Sequence, residues 1–179
     1  TGKGAETAKE KLAALVVRAV KRIAEQGTSG IVIDKENIKV EKRVGEAADK
    51  SELIEGIVID KEKVHDAMPD RVTDAKIALL DVSLEMKNTE IEAKIQITDP
   101  SQLQAFLDME ERTLREMVRK IKTAGATVVF CQKGIDDLVQ HFLAKEHILA
   151  ARRVKKSDFE KLAKATNGKI VSNLNDFSS

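Results

Sequence analysis

Residues 126–173 read ATVVFCQKGIDDLVQHFLAKEHILAARRVKKSDFEKLAKATNGKIVSN. Three short apolar runs, 126–131, 148–154 and 169–173, alternate here with two amphipathic stretches. Runs this short, rich in Val and Ile, predict buried strands. Between the first two, Ile135 to Lys145 predicts a helix with Leu138, Val139, Phe142 and Leu143 on its inner side. Between the last two, Ser157 with Glu160 three residues on predicts a capping box. Phe159, Leu162 and Ala163 would face inward, and Asn167-Gly168 would stop that helix. The order βαβαβ predicts an α/β fold with a parallel sheet, because parallel neighbours need a crossover.

Upstream, Lys76 to Leu84 (KIALLDVSL) predicts a further strand buried on both faces, preceded by a loop at Met68-Pro69-Asp70. Ile91, Ala93, Ile95 and Ile97 alternate with polar residues, as in a strand with one wet face. Asp99 and Pro100 suit the N-cap and first position of a helix. Its stripe, Leu103, Phe106, Leu107, Leu114, Met117, Val118 and Ile121, runs to Gly125. That is about 24 residues, or about 36 Å, roughly twice a usual helix. Its charge-rich first half is therefore expected to project from the domain body. Nearer the N-terminus, Ala5 to Gln26 predicts a helix stopped by Gly27. Ile38–Val44 and Leu53–Ile59 predict strands, and GIVIDKE, at 30–36 and again at 56–62, suggests two similar strand-then-turn elements.

Charge excludes several roles. Charged residues make up 34% of the 179, but 31 basic and 30 acidic side chains leave a net charge of only +1. A nucleic-acid binder relying on bulk positive charge would be far more basic. Five Phe, no Trp and no Tyr leave little for base stacking or aromatic cages. The single Cys131 excludes an internal disulfide framework and suits a reducing, cytoplasmic setting. No apolar run approaches the roughly 20 residues that span a bilayer, so no membrane partner is expected. The start at Thr1 and the end at Ser179 suggest a piece of a longer protein.

Catalytic signatures are sparse. Gly2-Lys3-Gly4 before a helix could meet an anion at free backbone N–H groups, or could be a plain helix entry; the full phosphate-loop pattern is missing. His141 and His147 lie six apart, not four as in a helical zinc pair, so no metal site is expected. Cys131 ends an apolar strand and reads as a buried small hydrophobe. Asp136-Asp137 suit a helix first turn. Arg152-Arg153 and Lys155-Lys156 lack interleaved aromatics and suit a solvated strand end. These residues favour a binding or structural module; a small-ligand or enzymatic α/β domain using the sheet's carboxyl edge is the alternative.

Several long stretches occur in an order that resembles one family. GIVIDKEKVHDAMP (56–69), VTDAKIALLDVSLE (72–85), REMVRKIKTAGATVVFCQKGIDDLVQHFLAK (115–145) and ARRVKKSDFEKLAKATNGKIVS (151–172) resemble the apical domain of a group II chaperonin of the archaeal thermosome kind. Residues 1–6 and the helix after them are similar to the segment of the intermediate domain that leads into it. The resemblance implies an intermediate-domain segment at 1–55 and an apical domain at 56–179 with chaperonin-like β/α layers. It implies a helical protrusion at about 87–114, which fits the overlong helix. It further implies a part of an ATP-driven folding machine whose apical domains bind unfolded polypeptide and whose protrusions form a built-in lid.

Site residues follow from the same resemblance. Gly2, Lys3 and Gly4 would sense the γ-phosphate of the ATP and Mg bound by the parent complex. Leu103, Phe106, Leu107 and Met109 on the protrusion, and Gln140, His141 and Lys145 on the second of two cavity-facing helices (114–123 and 135–145), would meet the client. A purely structural lid contact is the competing role for the protrusion. Neighbouring subunits of a double ring would be the other partners. The family's equatorial phosphate loop and hydrolytic Asp lie outside this sequence, so the chain by itself is expected not to be an enzyme.

Overall fold

The computed structural model describes residue 6 and residues 8–42, 44–86 and 100–177, with side chains from 103 onward in the last stretch. The chain forms two compact units, Thr1–Val58 and Ile59–Ser179.

In the first unit, α1 (Lys9–Ile23) is followed by a hairpin of β1 (Ala24–Gly27) and β2 (Gly30–Ile33). The expected helix to Gln26 thus ends three residues early, because Ala24–Gln26 pair with Ile31–Ile33 across the Thr28-Ser29 turn. Gly27 is needed for this pairing: a Cβ there would lie 2.7 Å from Cγ2 of Val32. The first GIVIDKE is the strand-then-turn element expected, with Asp34 accepting from the amide of Glu36 to start a short 3-10 turn. The second copy is not a strand, and neither are the described residues of 38–44 or those of 53–59. A strand needs a partner ladder for its backbone groups, and among the described residues these stretches find none.

The second unit is an α/β layer structure. Its sheet holds β3 (Ile77–Leu80), β4 (Val128–Cys131), β5 (Leu149–Ala151) and β6 (Ile170–Val171), all parallel, in the order β5-β4-β3-β6. The helices are α2 (Pro100–Thr123), α3 (Asp137–Lys145) and α4 (Lys156–Thr166). Alternation along the strands sorts the core. Ala78, Leu80, Val129, Cys131 and Ala150 pack with Leu114, Val118 and Ile121 of α2 and Val139, Phe142 and Leu143 of α3. Leu79 lies outside that cluster and α4 packs on β3, with Phe159 fully buried. Cover on both faces is what lets β3 and β4 be continuously apolar.

Two helix starts differ from expectation. The sequence places the α3 start at Ile135, but Ile135 forms a parallel bridge with Leu84, and Asp136 is the cap, accepting from the Leu138 amide at 2.8 Å. The capping box at Ser157 does not form: α4 begins at Lys156, so Ser157 already lies inside the first turn. Asn167, at φ 52°, ends α4 in the left-handed conformation as expected. The expected strand at 91–97 and the Asp99 cap lie outside the described residues.

Candidate functional site

The C-terminal half of α2 is core, with Leu114, Val118 and Ile121 buried. Its apolar stripe continues past the point where the sheet can cover it. Leu103, Leu107 and Met109 are 46%, 47% and 53% exposed, and Phe106 is half-buried. On the side of α2 nearer α3, Glu111 accepts from Nε and Nη2 of Arg115 at 2.9 and 2.6 Å. The Arg115 guanidinium in turn sits 4.4 Å over the Phe142 ring, a cation–π contact.

The start of α3 is held beside this stripe by a clamp of backbone bonds. Leu84 N–H donates to Gly134 O and Asp136 N–H donates to Leu84 O, both at 3.0 Å. Glu85 follows directly and lays its carboxylate against Gly134, in the space that a Cβ there would occupy. Oε2 of Glu85 also accepts from the Ser83 hydroxyl at 2.6 Å. The result is an open groove of about 560 Å³ lined by Glu85, Met86, Leu107, Glu110, Glu111, Leu114, Asp136 and Leu138. Its lining mixes four apolar side chains with four acidic ones.

On α3 the buried face is rotated from the one read in the sequence. Val139, Gln140, Phe142, Leu143 and Ala144 are buried. Leu138 is 46% exposed, and it shares an exposed stripe with His141 and Lys145. Two expectations are corrected here. Gln140, expected on the wet side, is only 5% exposed. Its burial is tolerated because Nε2 donates to Ile135 O at 2.8 Å and to Oδ1 of Asp137 at 2.9 Å. Leu138, expected in the core, instead lines the groove. His141 lies 5.9 Å from the His65 ring and 6.1 Å from that of Phe142.

Cys131 behaves as the sequence suggests. Cys131 is fully buried, and desolvation pushes its thiol up to about 11, with Asp81 and Glu85 adding to the rise. That is an inert thiol. A second hollow of about 440 Å³, lined by Phe130, Leu149, Ala151 and the 61–70 loop, brings no recognisable catalytic set together. Among the described residues, no cluster of three or more His, Cys, Asp or Glu could hold a metal ion, and no helix is long and apolar enough to cross a membrane. Gly2, Lys3 and Gly4 lie outside the described residues. The groove residues Glu85, Met86, Glu110, Glu111 and Asp136 are absent from the sequence reading of the site, because a contact between distant segments assembles them.

A stripe left uncovered on a long helix and a second helix clamped beside it are features of the fold, and the fold has relatives. All of residues 1–179 match the model of the TCP-1/cpn60 chaperonin family. The chain belongs to that family. It is 60% identical over 178 residues to a thermosome subunit of Methanopyrus kandleri, covering 99% of this chain and 33% of that protein. To thermosome subunit beta of Archaeoglobus fulgidus it is 59% identical over 179 residues, covering 100% of this chain and 33% of the relative. The open-state monomer of a group II chaperonin from Methanococcoides burtonii superposes with a TM-score of 0.75 at 44% identity, over 99% of this chain and 38% of that one. The chain thus spans about a third of the length of the curated relatives it matches.

The expected α/β chaperonin-like fold stands with this family, and the small-ligand alternative has no support. One expectation is overturned. The sequence predicts that the chain by itself is not an enzyme, because the resemblance places the family's hydrolytic residues outside it. Its relatives are thermosome subunits, which are ATPases, so the chain is grouped with an ATPase family. The physical reason is simple: where one active site draws on several domains, catalytic groups missing from one stretch do not set that stretch apart from the enzyme.

Proposed function

We propose that the chain is the client-capturing part of a group II chaperonin. Residues 56–179 act as the apical domain, residues 1–55 belong to the intermediate domain, and about 87–114 form the protrusion that closes the cavity. The division into two units at Val58 supports a boundary near residue 55. The observation that carries the capture role is the groove between α2 and α3, where Leu107 and Leu138, nearly half exposed, stand among acidic side chains. Leu103, four residues before Leu107, extends the exposed apolar surface along α2, while Met109 is exposed on a different side of the helix. His141 and Lys145 add polar contacts beside it; Gln140 supports α3 from within.

The energetics favour loose, general capture. A client side chain that buries about 100 Å² of apolar surface in the groove contributes about 2.5 kcal/mol. Loss of client freedom offsets much of that. One groove therefore binds weakly, and a ring of neighbouring subunits raises the avidity. In the complete protein, ATP with Mg would drive release and closure, and Lys3 between Gly2 and Gly4 would meet the γ-phosphate. The setting would be the cytoplasm.

Light scattering of a denatured client diluted into buffer, with and without this chain and without ATP, tests the proposal. Suppressed aggregation at near-stoichiometric amounts is expected. No suppression by a folded chain refutes capture by this part alone. Leu103→Ser with Phe106→Ser and Leu107→Ser separates the roles of α2: undiminished capture would assign these residues to the lid only.

A further inference from the structure

We infer that the groove between α2 and α3 selects among non-native segments, favouring those whose apolar residues are flanked by lysine or arginine. This rests on the capture role proposed above and adds a substrate class to it. Of the eight described lining residues, Met86, Leu107, Leu114 and Leu138 are apolar and Glu85, Glu110, Glu111 and Asp136 are acidic; among the described residues none is basic. Arg115 is bound to Glu111 and stacked over Phe142, so one of the four charges is countered. Asp136 caps α3, whose end carries only about half a positive charge. Glu85 accepts from a neutral hydroxyl, which leaves its charge in place. The lining is thus net negative while the whole chain is nearly neutral, at +1.

Such a lining acts at two distances. It attracts basic segments before contact and repels acidic ones of equal apolarity. In contact, the client's apolar side chains meet Leu107 and Leu138 while its Lys or Arg stems lie across the groove with their charged ends at the carboxylates. Exposed pairs of this kind are individually weak and screened by salt. Their joint effect is a preference superimposed on apolar capture.

The test uses the full chain and three fluorescent peptides with identical leucines, flanked by Lys, Ser or Glu. Anisotropy at low ionic strength is expected to rank Lys above Ser above Glu, with about a tenfold spread between the extremes that shrinks towards parity near 1 M salt. Glu110→Lys should narrow or invert the order, and Glu110→Gln should narrow it without adding a charge. Circular dichroism verifies that both variants are folded. Equal binding of all three peptides, or an order unchanged in both variants, overturns the inference while capture stands. If no peptide binds but the chain still suppresses client aggregation, the charge preference alone falls. If neither occurs, the capture role falls with it.

Discussion

Gln140→Ala should destabilise the second unit by about 2 kcal/mol. The wild-type amide donates 2.8 Å to Ile135 O, a buried acceptor. Its loss leaves that carbonyl with Nη1 of Arg152 at 3.4 Å, a poor substitute. Leaving a buried acceptor without its partner costs about 1–3 kcal/mol, here at the low end because Arg152 stays within reach. The bond to Asp137 adds little, since that side chain is 95% exposed and water replaces the donor. One buried methylene contributes about 0.8 kcal/mol more. The assay exploits the single buried thiol: labelling of Cys131 as a function of urea reports opening of this unit alone. With a slope of about 2 kcal/mol per molar urea, the midpoint should fall by about 1 M. His141→Ala and Lys145→Ala, both on the exposed stripe, should shift it by less than about 0.3 M. A Gln140→Ala midpoint no lower than theirs would refute the structural role of this glutamine and return it to the client surface.

Leu143, fully buried between α3 and the sheet, should cost about 2–5 kcal/mol as Leu143→Ala, read by the same labelling curve. Cys131 has a folded-state thiol raised from an ordinary 9.0 to about 11. The folded chain therefore holds its proton more tightly than the unfolded one. Its contribution is fully present below pH 9 and is lost as pH rises towards 11, so urea midpoints should fall across that window. Cys131→Ala should flatten that part of the profile.

What the sequence makes legible follows from how strongly burial constrains it. Lys76–Leu84 and Ala126–Cys131 are apolar on both faces because parallel strands are covered twice, and β3 and β4 lie inside those stretches. The 24-residue length of α2 is legible too, because its stripe keeps one phase throughout. The inner face of α3 is not. Leu138, the first apolar residue of the helix, lines the groove and is nearly half exposed, while Gln140 reaches the interior by satisfying its amide locally. A pattern of apolar residues cannot distinguish these cases. The groove is hidden for another reason: the Leu84–Ile135 bridge assembles it from segments far apart in the chain. In the first unit, alternation at 38–44 looks strand-like, but a strand also needs a neighbour.

The central claim is that non-native chains are captured in the groove between α2 and α3. A photo-crosslinking side chain at position 107 or 138, presented with a denatured client in the absence of ATP, tests it most directly. The account predicts client crosslinks from both positions and almost none from position 160 on α4, where Glu160 is an exposed residue of the same unit. Equal yields from all three positions, or crosslinks from position 160 alone, would contradict it.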